Sequence, residues 1–158
     1  MTQIHNIPPV YNKNSKILIL GSFPSVKSRE TEFFYGHPQN RFWRVLSELL
    51  GYELPGTIAA KKKMLLDCRI ALWDVIAGCD IDGSSDSSIR NVRVNDLSIV
   101  LNAAKIERIY ANGNKAYELY RKYIGENIEK LPSTSPANAA WSLDRLIGEW
   151  SGIFKYLR

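Results

Sequence analysis

The sequence predicts an α/β fold, a three-layer αβα sandwich around a central, mainly parallel four-stranded sheet. Short apolar runs alternate with stretches of helical periodicity, as they do in strand–helix–strand units. The run Ile17-Leu18-Ile19-Leu20 has no polar face, which suits a strand covered by helices on both sides. From Leu143 to Leu157, apolar residues recur at helical spacing and mark a final amphipathic helix.

The elements follow in order. Pro8 and Pro9 favour an extended lead-in. The first strand runs from Ile17 to Ser22, and residues 22–39, with Pro24, Gly36 and Pro38, read as a loop. A helix then places Phe42, Trp43, Val45, Leu46, Leu49 and Leu50 on one face and stops at Gly51. A second helix fits Thr57 to Cys68, with Lys61, Lys62 and Lys63 in solvent. Ile70 to Ile76 reads as the second strand, and the Ser-, Asp- and Gly-rich residues 78–88 as a long loop. Asn95 is placed to cap a helix over residues 96–104. Ile106 to Asn112 forms the third strand, Gly113-Asn114 leads into a helix through Tyr123, and Ile128 to Leu131 is a short fourth strand. No repeat or linker interrupts the pattern, so residues 1–158 are expected to form one domain.

Composition narrows the class. No apolar run approaches the ~20 residues of a bilayer span, and the N-terminus lacks a basic-then-apolar signal pattern. Two cysteines, Cys68 and Cys79, and two histidines argue against a disulfide framework, a structural zinc site or an iron–sulfur cluster. The expectation is a cytoplasmic protein with no metal and no cofactor. A net charge of +5 favours polyanions without identifying one.

Ligands of open α/β sheets bind at the carboxyl ends of the strands. Gly21-Ser22-Phe23-Pro24-Ser25, Trp73-Asp74, Asn112-Gly113-Asn114 and Leu131 to Asn138 follow strands and are rich in hydrogen-bonding residues, although ordinary turns share that composition. The stretch from Phe33 to Trp43 interleaves aromatics with Gly36, His37, Asn40 and Arg41. Aromatic faces stack on bases, and Asn and His bond base edges. Phe42 and Trp43 belong to the apolar face of the helix that follows.

Three segments carry a resemblance: Gly21-Ser22-Phe23-Pro24-Ser25, Phe34-Tyr35-Gly36-His37-Pro38-Gln39-Asn40-Arg41-Phe42-Trp43, and Leu131-Pro132-Ser133-Thr134-Ser135-Pro136-Ala137-Asn138. In this order, over nearly the whole chain, they resemble the uracil-DNA glycosylase superfamily, and most of all its hypoxanthine-DNA (deoxyinosine) branch. The resemblance implies a parallel four-stranded sheet flanked by helices and a role in base-excision DNA repair. It implies a monomeric hydrolase, free of cofactors, that acts at the nucleoid on DNA containing deoxyinosine or another deaminated base. The target base is flipped out and its N-glycosidic bond hydrolysed, leaving an abasic site.

The resemblance also assigns roles. Ser22 and Phe23 contact the flipped base, and Ser25 the DNA backbone. Several branches carry a catalytic Asn or Asp where this chain has Phe23, which cannot orient water; the resemblance moves that role to Asn40. Tyr35 falls where relatives stack an aromatic on the extruded base, and Asp74 near a residue that reads the base edge. Ser133, Thr134, Ser135 and Asn138 lie in the motif that pinches the backbone and supplies the wedge. Read from the residues alone, His37 is open between catalysis and a turn role, Asp74 between base contact and a loop cap, and Asn138 favours capping the final helix. Asn112 and Asn114 read as turn and helix caps, and Lys27, Arg29 and Arg41 as phosphate contacts or solvated surface. The alternatives are a uracil or G:T/U mismatch glycosylase, a non-catalytic lesion-binding relative, and a nucleotide-binding α/β enzyme, which would want a G-x-G-x-x-G turn that Gly21 does not begin.

Overall fold

In a computed structural model that describes residues 2–157, the chain opens with β1 (Thr2–Ile4) and reaches β2 (Ile17–Gly21) through an extended segment. The helices α1 (Val26–Thr31), α2 (Phe42–Leu50) and α3 (Ile58–Asp67) follow, and then β3 (Ile70–Asp74). Every residue of β2 and β3 is buried, so both faces of these strands are covered. α2 buries Phe42, Trp43, Val45 and Leu46, and Gly51 ends it at φ 74°, a left-handed turn that glycine makes without steric cost. The remainder comprises β4 (Ile76–Asp80), β5 (Arg90–Val94), α4 (Ser98–Leu101), β6 (Arg108–Asn112), α5 (Asn114–Tyr123), β7 (Glu129–Leu131) and α6 (Leu143–Trp150).

The expected four-stranded parallel sheet is present, in the order β3-β2-β6-β7. α3 packs on β3, and α5 on β6 and β7. The chain passes from β2 to one side to make β3, then returns to the other side to make β6. The carboxyl ends of β2 and β6 therefore flank the point where strand order reverses, and open α/β sheets form their ligand crevice at such a point. Gly21 ends β2 there, and Asn112 ends β6.

A second sheet departs from the sequence reading. Residues 70–76 are not one strand: the chain turns at Val75, whose N–H donates to the Gly21 carbonyl at 2.8 Å while that of Ile76 donates to Ser22 at 3.1 Å. β4 then pairs antiparallel with β1 and β5, so the expected 78–88 loop begins inside a strand, ends in a 3-10 turn over Asp86–Ser88 and is followed by another strand. The corner is masked in the sequence because the apolar run continues through it. Other boundaries move for local reasons. Residues 22–39 include α1, capped by Ser25, whose Oγ accepts the Ser28 N–H at 3.1 Å. Asn95 is no cap; its Nδ2 donates to the Asp74 carbonyl at 2.9 Å, and Asp96 accepts the Ser98 N–H instead. The final helix tightens into a 3-10 segment over Ser151–Tyr156, and its cap is Ser142, not Asn138.

Two core tryptophans tie the fold to the site. Phe42 lies edge-on to Trp43 and Trp150, at centroid separations of 4.8 and 5.8 Å. Trp43 Nε1 donates to the Phe34 carbonyl at 3.2 Å, and Trp150 Nε1 to the Pro132 carbonyl at 2.9 Å. Each buried indole thus pins one of the loops above the sheet.

Candidate active site

The carboxyl ends of β2, β3 and β6 open into a cavity of about 320 Å³. Gly21 to Ser25 and Ser133 to Ala137 form two of its walls, Tyr35, His37 and Asn40 a third, and Asp74 and Asn112 also line it. His37 and the residues to which the resemblance gives roles border this space, except Asn138; Lys27, Arg29, Arg41 and Asn114 do not line it.

Gly21 has a steric reason to be glycine. A Cβ there would lie 2.4 Å from Asp74 Oδ1 and 2.9 Å from Tyr35 Oη, so the missing side chain lets two polar groups converge. Asp74 is 3% exposed, and its Oδ2 has no hydrogen-bond partner among the described residues. His5 Nε2 stands 3.7 Å away, but the ring is committed elsewhere. Its Nδ1 accepts the Ile7 N–H at 3.2 Å and its Nε2 donates to the Ile76 carbonyl at 2.8 Å, which assigns the neutral imidazole. Burial also holds the His5 pKa down, so no ion pair offsets the Asp74 charge. Loss of solvent, and then the nearby charge of Asp86, pushes the Asp74 carboxyl up to about 7. Tyr35 sits at φ 53° with its ring stacked on Phe42, centroids 4.1 Å apart. Its buried Oη lies beside the Asn112 amide without a hydrogen bond of good geometry, and burial, then the Asp74 charge, raises the phenol.

Asn40 is held by a turn. Its N–H donates to the His37 carbonyl at 3.0 Å, and His37 Nδ1 accepts the Gln39 N–H at 3.1 Å. Asn40 Oδ1 accepts the Phe42 N–H at 2.9 Å, satisfying one of the first donors of α2. The oxygen bond fixes the amide and leaves Nδ2 without a protein partner among the described residues. His37 is exposed at the rim.

The second motif loop is anchored from below. Asn112 Oδ1 accepts the Thr134 N–H and Asn112 Nδ2 donates to Thr134 Oγ1, both at 3.0 Å. Thr134 is fully buried, so its hydroxyl is turned inward and is not placed for a phosphate. Ser133 and Ser135 remain on the cavity wall. Asn138 donates from Nδ2 to the Ser133 carbonyl at 3.0 Å, bracing the loop rather than capping α6. Phe23 brings no polar group; it packs edge-on against His5, with the Arg29 guanidinium over its ring at 5.3 Å. That guanidinium donates to Gln3 Oε1 and the Gly83 carbonyl, which makes Arg29 a tie between segments.

Sequence reasoning read Asn112 as a turn or cap residue and did not reach Ser84 or Asp86, yet all three line the cavity. Asn112 ends a central strand at the switch point, a signal that was available. Ser84 and Asp86 arrive through the fold-back between β4 and β5, where Ser22 Oγ donates to Asp86 Oδ1 at 2.9 Å; nothing local in the sequence announces it.

A parallel sheet, a crevice at its switch point, a buried carboxyl and two facing polar loops define a class that comparison makes specific. The profile of the uracil DNA glycosylase superfamily matches residues 8–151, and the chain belongs to that superfamily. It is 39% identical over 153 residues to a hypoxanthine DNA glycosylase of Methanosarcina acetivorans, covering 94% of this chain and 96% of that one. It is 34% identical over 152 residues to a protein of the same name from Methanosarcina barkeri, with the same coverage of 94% and 96%. A solution NMR structure of a candidate uracil DNA glycosylase from Methanosarcina acetivorans superposes with a TM-score of 0.82 at 36% identity, covering 99% of each chain.

Proposed function

We propose that this chain is a DNA glycosylase that flips hypoxanthine, the base of deoxyinosine, out of DNA and hydrolyses its N-glycosidic bond. The observation that carries the reading is the Asn40 amide on a base-sized cavity in which Tyr35 Oη and Asp74 Oδ2 have no hydrogen-bond partner among the described residues. The relatives named hypoxanthine DNA glycosylase support it.

Breaking the bond builds positive charge on the sugar and negative charge on the departing base. Asn40 cannot take a proton, so it works by position: its free Nδ2 donates to the leaving base or orients the attacking water. Hypoxanthine offers an O6 acceptor and an N1–H donor. Ionised Asp74 accepts from N1–H, while Tyr35 Oη and the backbone N–H groups of Ser22 and Phe23 donate to O6. Adenine presents an acceptor at N1 and meets the carboxylate with the wrong polarity. The Tyr35 ring, backed by Phe42, supports the base by stacking. His37, whose Nδ1 is occupied by the Gln39 N–H, offers only an Nε2 donor and acts in binding rather than as a base.

Ser25, Ser133, Ser135 and the loop N–H groups hold phosphates and fix register without reading sequence. Thr134 and Asn138 keep that loop in shape. A base in a weak pair is extruded at lower cost than one in a good pair, which favours the lesion. Residues 1–158 act as one glycosylase domain, as a monomer and with no metal or cofactor. No helix among the described residues is long and apolar enough to cross a membrane.

The test is incubation with duplexes carrying inosine, uracil, or thymine opposite guanine, followed by alkaline cleavage at abasic sites. The reading expects a break at inosine. Release of uracil with inosine left intact would overturn the specificity, and tight binding to inosine DNA without any product would make the chain a lesion-binding relative.

A further inference from the structure

Arg41, next to Asn40, is bonded into the protein. Its Nη1 donates to the Trp141 carbonyl, and its Nη2 donates to the carbonyls of Ser135 and Asn138 at 3.0 and 3.1 Å. Its backbone N–H donates to the Thr134 carbonyl at 3.1 Å. Both hydrogens of Nη2 are therefore used, and Nε is buried with no partner among the described residues. No carboxylate pairs with this guanidinium among the ion pairs of the described residues. One fork gathers three backbone carbonyls spread over seven residues, from Ser135 in the second motif loop to Trp141 just beyond it. The same stretch of α2 entry holds the Asn40 amide through Phe42.

We infer that Arg41 is a positioning residue that locks the second motif loop to the turn carrying Asn40, and that it does not contact phosphate. The inference rests on the proposed glycosylase reaction, in which Asn40 and the loop must hold the sugar between them. Lysine cannot replace it: an ammonium concentrates its donors at one point and cannot span three carbonyls. A misplacement of the order of 1 Å costs a positioned reaction about 100-fold in rate.

The test compares the full-length wild type with Arg41→Lys, which keeps the charge and most of the stem, and with Arg41→Ala. Three readings are taken: amide hydrogen exchange of residues 132–141, the single-turnover rate on an inosine duplex, and the salt dependence of binding to a duplex with a stable abasic analogue. The brace predicts faster exchange confined to that loop in Arg41→Lys and a rate lower by about 100-fold. It also predicts that Arg41→Ala, which loses the charge, leaves the salt slope unchanged. A slope shallower by about 0.9, the loss of one phosphate contact, would overturn it. So would wild-type loop exchange, or a wild-type rate, in Arg41→Lys. A wild type that releases no hypoxanthine would refute the glycosylase reading instead, and loop exchange would still decide whether Arg41 is a brace.

Discussion

Replacing Asp74 by Asn should stabilise the protein and remove the pH response of its chemistry. The carboxyl moves from 3.8 to about 7 on folding because burial, and then Asp86, opposes its charge. Keeping it ionised in the folded state therefore costs about 4 kcal/mol. The sign follows from the two values. Below pH 3.8 the group is protonated folded and unfolded and costs nothing; as pH rises the unfolded chain ionises first, and stability falls until pH passes about 7. Urea unfolding of wild type and Asp74→Asn from pH 4 to pH 8 gives the difference directly, and contributions shared by both proteins, such as other carboxylates, largely cancel. The variant should gain little at pH 4 and about 4 kcal/mol at pH 8, roughly 10 °C in Tm. Wild-type excision of hypoxanthine should rise as pH passes about 7, because the ionised carboxylate is the stronger acceptor for N1–H, and Asp74→Asn should be slow and flat. A stability difference that does not change with pH would refute the assignment of an unpaired buried carboxyl.

Other changes have equally definite outcomes. Asn40→Ala removes the free amide donor, so the single-turnover rate should fall about 100- to 1,000-fold; affinity for an abasic-analogue duplex, measured by fluorescence anisotropy, should stay within a few-fold. Gly21→Ala drives a Cβ to 2.4 Å from Asp74 Oδ1 and 2.9 Å from Tyr35 Oη. It should abolish base excision, with far-ultraviolet circular dichroism unchanged.

What the sequence revealed depended on how local each signal was. Ile17 to Leu20 announces a covered strand because its side chains meet apolar neighbours on both faces, and Phe42 to Leu50 announces a helix because its stripe faces the core. The turn at Val75 is silent, since both strands it joins are apolar and only hydrogen bonds to Gly21 and Ser22 show where the chain bends. The same holds for the site. The motif loops were legible as segments, and their residues gather at one cavity. Long-range partners were not: Thr134 looks like a hydroxyl for phosphate until Asn112, twenty-two residues earlier, takes it, and Arg41 looks like a DNA contact until residues near Trp141 enclose it. Polar residues in loops carry the same letters whether they face solvent, ligand or each other.

The central claim is that this cavity binds an extruded hypoxanthine and frees it by hydrolysis. Mass spectrometry of the supernatant after the wild type meets a deoxyinosine duplex measures that event itself. The account predicts free hypoxanthine in equal amount to abasic strands, with the phosphodiester backbone intact before alkali. An untouched inosine strand, or a nicked strand that still carries its base, would contradict it.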